Sequence, residues 1–129
     1  DSSSGIDSGA SDYDNGSTGI YVNAAGAGAQ DILEDNDASQ ILELMPGSNV
    51  GGAAGEGVGF SVVLHSPGDG TTMSSVSGTF CGTDQSSGVC LGFCGGARVS
   101  VITHDRVQFL FSSGNVETGR LTVWGFKHA

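Results

Sequence analysis

The chain has 129 residues, enough for one domain with a two-layer core and too few for two independent cores. It holds 23 Gly, only two Pro and 37% apolar residues in short alternating runs, a composition of many short strands joined by Gly-rich turns rather than of a disordered chain. Net charge is −10 and unevenly placed: residues 1–97 hold twelve acidic groups and no basic one, while residues 98–129 hold four basic and two acidic groups.

That charge excludes nucleic acid as a partner, because such binding rests on neutralising phosphates. No stretch approaches the roughly 20 apolar residues of a membrane span. The acidity reads first as a solubility device, with a cation-binding surface and complementarity to a basic partner as the alternatives.

In chain order, residues 1–17 are Ser, Gly, Asp and Asn with few apolar anchors, and read as a polar loop or arm. Thr18–Asn23 is the first predicted strand, with Ile20 and Val22 on one face and Tyr21 on the other. From Gln30 to Met45 helical spacing and alternation compete. The acidic run Glu34-Asp35-Asn36-Asp37 would interrupt any apolar stripe, so Ser39–Met45 is expected as a strand preceded by a turn, with one helical turn at Asp31–Asp35 as the alternative. Residues 47–59 form a Gly/Ala-rich loop, and Phe60–Ser66 is a strand with Phe60, Val62 and Leu64 on one face. Pro67-Gly68-Asp69-Gly70 is a turn, Pro setting φ and Gly supplying positive φ. Strands are expected at Thr72–Cys81, Val89–Phe93 and Ala97–Thr103, with a turn at Thr83–Gly88.

The closing stretch alternates most clearly. Val107, Phe109 and Phe111 oppose Arg106 and Gln108; after Ser112-Ser113-Gly114-Asn115 and Glu117-Thr118-Gly119 the pattern resumes with Leu121 and Val123 against Arg120 and Thr122, followed by Trp124. This predicts a β-hairpin with Val107, Phe109, Phe111, Leu121 and Val123 directed into the core. Its loop carries Gly114, Asn115 and Gly119, which tolerate positive φ or bond their own backbone. With seven or eight strands in all, the expected fold is an all-β antiparallel sandwich of the jelly-roll type, a single domain over residues 18–129.

The run Phe109-Leu110-Phe111-Ser112-Ser113-Gly114-Asn115-Val116-Glu117-Thr118-Gly119-Arg120-Leu121-Thr122-Val123-Trp124-Gly125-Phe126-Lys127 resembles the closing hairpin of small β-rich proteins of tailed bacteriophages. Those end in a pattern like F-x-F-x-S-G-N-[IV]-x-x-G, then alternating aliphatic positions, an aromatic, Gly and Lys. Ser8–Asp14 is similar to the polar loop before that family's second strand, and Gly55–Pro67 to its mid-chain strand and the turn that ends it. Family members begin with one or two further strands, which are missing here. The resemblance implies a structural, non-enzymatic virion protein without cofactor, forming a homotrimer. An external capsid decoration or cement protein bound to the major capsid protein is favoured by the small size, the polar arm and the lack of a coiled coil. A tail fibre or receptor-binding module recognising a host surface glycan is the alternative, and a stand-alone carbohydrate-binding domain a further one.

Candidate chemistry is sparse. Cys81, Cys90 and Cys94 have the spacing C-x8-C-x3-C, without the paired C-x2-C of structural zinc motifs, and read as reduced core thiols; a disulfide between Cys81 and Cys90 across a turn is the competing arrangement. Asp12-Tyr13-Asp14-Asn15-Gly16 looks like the start of a calcium loop, but Gly16 stands where a ligand belongs, so it and the Glu34–Asp37 cluster read as turns, and no metal is expected. His104-Asp105 lacks a nucleophile elbow, and adjacent strand residues point to opposite faces. His65, His104 and His128 read as ordinary strand-end or surface histidines, and no catalytic set emerges. Trp124, with Tyr13 and Tyr21, offers aromatic surface for a sugar, though a core or interface place for Trp124 is the simpler reading.

Overall fold

A computed structural model of the chain describes residues 11–22, 28–38, 50, 53–83, 88–104, 106–111 and 116–126. Five strands run in chain order: β1 (Tyr13–Val22), β2 (Gly28–Ala38), β3 (Gly57–His65), β4 (Ser75–Thr83) and β5 (Val89–Arg98). They form one antiparallel sheet in the order β2-β1-β5-β4-β3. Among the described residues there is no helix. The fold is thus a β1-β2 hairpin and a β3-β4-β5 meander, joined where β1 pairs with β5 from Tyr13↔Arg98 to Val22↔Val89.

Strand boundaries differ from the sequence-based expectation for identifiable reasons. Residues 13–17 belong to β1, not to a polar arm, although Asp14, Asn15 and Gly16 are poor strand formers; ladders on both sides override local propensity. The start of β1 is also pinned. Arg98 Nη1 donates to the Asp12 carbonyl at 2.6 Å and to its carboxylate at 2.9 Å, while the guanidinium lies 5.1 Å from the Tyr13 ring centroid.

The stretch Asp31–Asp35 is strand, neither a turn nor a helical turn, and the acidic run falls in β2 at the edge of the sheet. An edge strand serves a single ladder, and charge there discourages pairing with another chain. Ser39–Met45, expected as a strand, lies outside the described residues. β4 begins at Ser75 rather than Thr72 because Asp69 holds Thr71 and Thr72 in the preceding turn: its carboxylate accepts from Thr71 N at 2.8 Å, Thr71 Oγ1 at 2.6 Å and Thr72 Oγ1 at 3.0 Å. The positive φ at this turn falls on Ser66 (φ 50°), not on a glycine of the Pro67–Gly70 run.

β5 continues through Gly95-Gly96, where a break was expected. These glycines pair with Gly16 and Asn15 on one side and with Ser77 and Val76 on the other. The strand predicted at Ala97–Thr103 is therefore not formed: Ala97 and Arg98 finish β5, Val99 N donates to the Asp12 carbonyl at 3.1 Å, and the chain leaves the sheet.

Alternation gives the sheet two faces. The inner face carries Tyr13, Ser17 and Tyr21 of β1, Cys90 and Cys94 of β5, Val76 and Phe80 of β4, and Val58, Phe60 and Val62 of β3. Phe80 (3% exposed) and Cys90 (2%) are its best-buried apolar side chains. Glycine makes the room for Phe80. Its ring end would lie 2.8 Å from a Cβ at Gly92 and 3.3 Å from one at Gly19, so two neighbouring strands present bare backbone under the ring. Part of this face is covered by Val50 and by Phe109, whose ring stacks on Phe60 with centroids 5.1 Å apart.

The predicted closing hairpin is not formed as a ladder. Residues 106–111 and 116–126 carry no strand, and Val107, Leu121, Val123 and Trp124 are exposed rather than in the core, as are Phe109 and Phe111 to a lesser degree. A hairpin is marginal in water unless a sheet or helix receives its apolar side, and here only Phe109 has such a seat among the described aromatic pairs. Gly114 and Asn115 lie outside the described residues, and Gly119 is exposed.

Candidate functional site

The outer face of the sheet is the feature most in need of a role. Its residues align in rows across the five strands. One row runs Gly28, Val22, Val89, Thr83, Gly57; the next Gln30, Ile20, Leu91, Cys81, Gly59; the third Ile32, Thr18, Phe93, Thr79, Ser61. None of these residues is charged, in a chain of net charge −10. Ile20, Val22, Ile32, Val89, Leu91 and Phe93 are exposed there, Phe93 by 68% and Ile32 by 61%. Single exposed apolar residues are ordinary, but a contiguous patch of this kind marks an interaction surface.

β5 shows how the face arises. In Val89-Cys90-Leu91-Gly92-Phe93-Cys94 the small residues turn inward, where Phe80 and Tyr21 fill the space, and the large apolar ones turn outward. Sequence reasoning missed Ile20, Ile32, Leu91 and Phe93 as a site. The signal was present in that alternation of small and large residues, none of them charged.

A second apolar surface lies on the last described segment. Val123 is 81%, Trp124 80% and Phe126 84% exposed, with Leu121 more than half exposed. Of the residues expected to assemble the hairpin, Phe109 alone is shown against an aromatic ring of the sheet.

The other candidate residues do not converge. Cys81 pairs across the sheet with Leu91, and Cys90 with Gly82, so Cys81 and Cys90 point to opposite faces and cannot bridge in this register. All three cysteines are free thiols; Cys90 and Cys94 are buried, as expected, whereas Cys81 is exposed on the outer face. Burial raises the Cys94 pKa above its ordinary value, because desolvation disfavours the thiolate.

The Asp12–Gly16 oxygens are dispersed. Asp12 is engaged by Arg98, Asn15 is buried on the inner face and Asp14 is exposed on the outer one. Among the described residues no group of three or more His, Cys, Asp or Glu comes together. His65 Nε2 lies 3.0 Å from Ser77 Oγ across the β3-β4 pair, and His104 N donates to the Pro67 carbonyl at 2.8 Å. Asp105 and His128 lie outside the described residues, and no described helix is long and apolar enough to cross a membrane. The sequence matches no protein-family model, no curated protein and no solved structure.

Proposed function

We propose that this chain is a non-enzymatic assembly module of a tailed-phage virion, an external capsid decoration protein that sits on the major capsid protein as a homotrimer. The observation that carries the assembly part of this reading is the outer face: three uncharged rows with large apolar side chains turned to solvent on an otherwise acidic chain. Burying a face of this kind against protein releases apolar surface from water at about 25 cal/mol per Å². The phage assignment rests on the resemblance of residues 109–127 to the closing segment of virion proteins.

In this reading the second layer of the jelly-roll sandwich is completed on assembly, with the exposed 106–111 and 116–126 segments packing onto sheet faces once a partner is present. The test is to label the protein on purified virions and count its copies. Hundreds of copies on the shell support decoration; a few copies at the tail tip overturn it in favour of a fibre.

A receptor-binding module that recognises host glycan is the second reading, favoured by the exposure of Trp124, since an open indole is a stacking surface for a sugar ring. Glycan binding that Trp124→Ala abolishes, with the particle count unchanged, would select it.

A further inference from the structure

We propose that residues 116–126 of one copy lie across the uncharged rows of the outer face of a second copy, so that copies hold one another by exchanged segments. This deepens the assembly reading above and rests on its claim of self-association, but not on the virion.

Each chain carries both halves of the contact, and among the described residues the side chains of both halves stand exposed. The donor half is Leu121, Val123, Trp124 and Phe126, exposed by more than half and in three cases by four-fifths or more. The acceptor half is the patch centred on Leu91 and Phe93. Their dimensions agree. Five strands spaced about 4.8 Å apart make each row about 19 Å wide, and an extended Leu121–Phe126 run at about 3.3 Å per residue is about 17 Å long.

Charge does not oppose a second copy of this same chain. The donor segment 116–126 holds one acidic residue, Glu117, and one basic residue, Arg120, and the acceptor rows hold no charge, so an acidic chain can make this contact without bringing like charges together.

The buried area sets the number of exchanges. Aromatic side chains bury roughly 150–250 Å² each, so one exchange removes on the order of 1,000 Å² from the two sides together, a little under the roughly 1,200–2,000 Å² of stable interfaces. Two reciprocal exchanges in a dimer, or three around a ring, exceed that and close the assembly.

The test uses the full chain and analytical ultracentrifugation across a dilution series, with circular dichroism to confirm folding. Wild type is expected to form one closed oligomer. Phe93→Glu, which removes the acceptor, and the double variant Trp124→Ala with Phe126→Ala, which removes the donor, should each weaken association at least tenfold. Mixing the two variants should give a one-to-one complex tighter than either variant forms with itself but weaker than wild type, because one intact segment meets one intact face and a single exchange is regained.

Cys81 reports the contact directly, since it is a free, exposed thiol beside Leu91 on the acceptor rows. A Val123→Cys, Cys81→Ser chain oxidised gently with wild type should give a disulfide-linked heterodimer. Association that survives deletion of residues 116–129 would mean that faces pack on faces and would overturn the exchange. A monomeric wild type, or a folded oligomer in which no disulfide forms between position 123 and Cys81, would overturn it too. Absence of the protein from virions, by contrast, would remove the capsid assignment and leave the exchange standing.

Discussion

The two faces of one sheet, built from the same five strands, meet opposite environments. On the inner face Phe80, Cys90 and Cys94 are buried, with glycines at positions 19 and 92 cleared for the Phe80 ring. On the outer face, one residue along each strand, Ile20, Leu91 and Phe93 stand in solvent. The larger apolar side chains of β5 are therefore outside and the smaller ones inside. Size alone does not choose the core face; the fit between a ring and bare backbone does, and what is left outside is a contiguous apolar surface.

The comparison is broken most severely at Phe80. Phe80→Ala should leave a cavity over Gly92 and Gly19 and cost about 3–5 kcal/mol, a large share of the ~5–15 kcal/mol that holds a domain. Thermal or urea unfolding measures it. Gly92→Ala attacks the same contact from below. An added Cβ would meet the Thr18 carbonyl oxygen first, then lie 2.7 Å from Gly19 Cα and 2.8 Å from the Phe80 ring, so backbone as well as side chain has to shift. The expected loss is about 3 kcal/mol, and combining Gly92→Ala with Phe80→Leu should recover only the small part due to the ring, because the clash with the Thr18 carbonyl and Gly19 backbone stays.

Phe109→Ala tests the cover on the inner face. Phe109 is 41% exposed, so it yields only part of a buried aromatic's contribution, and the stack on Phe60 adds about 0.5–1.5 kcal/mol. A loss of about 1–2 kcal/mol is expected. A loss as large as that of Phe80→Ala would mean that residues 106–111 form part of the core, as the hairpin pattern had suggested. On the outer face, Phe93→Ser should change the stability of the separated chain by no more than about 0.5 kcal/mol while weakening its association. Equal stability losses at Phe80 and Phe93 would erase the distinction between the faces.

Much of the sheet was legible in the sequence because period-two alternation is a local signal. Phe60, Val62 and Leu64 do share the inner face of β3, and Cys90 and Cys94 are buried thiols. The all-β class followed from the same signal. What local pattern did not carry was pairing over long range. Asn15, Gly16 and Ser17 are in a strand because β5 and β2 flank them, and Glu34–Asp37 because an edge tolerates charge. The hairpin expectation failed for the converse reason. Leu121, Val123 and Trp124 alternate well, but alternation shows only that a segment suits a sheet, not that its own chain supplies one. The uncharged outer rows were hidden because each is made of one residue from each of five strands, and no stretch of sequence displays a row.

The smallest expected effect separates turn chemistry from both faces. Asp69 lies in the turn between β3 and β4, and hydrogen bonds from the Thr71 side chain, then the Thr71 backbone and the Thr72 side chain, hold its carboxyl below the usual value of 3.8. A carboxylate with a folded pKa below its unfolded pKa contributes stability that is fully present above the unfolded value and is lost as pH falls through the folded one. Wild type should therefore lose a little stability on acidification below about pH 4, in proportion to the range between the two values. Asp69→Asn should lose that increment of the pH dependence while leaving the neutral-pH sheet signal in circular dichroism intact, because Asn still accepts one hydrogen bond in the turn. The readout is the difference between the two unfolding midpoints measured at pH 7 and again at pH 3. A midpoint gap that does not narrow on acidification would show that the carboxylate charge contributes nothing to the turn, and that Thr71 and Thr72 are held there by backbone geometry alone.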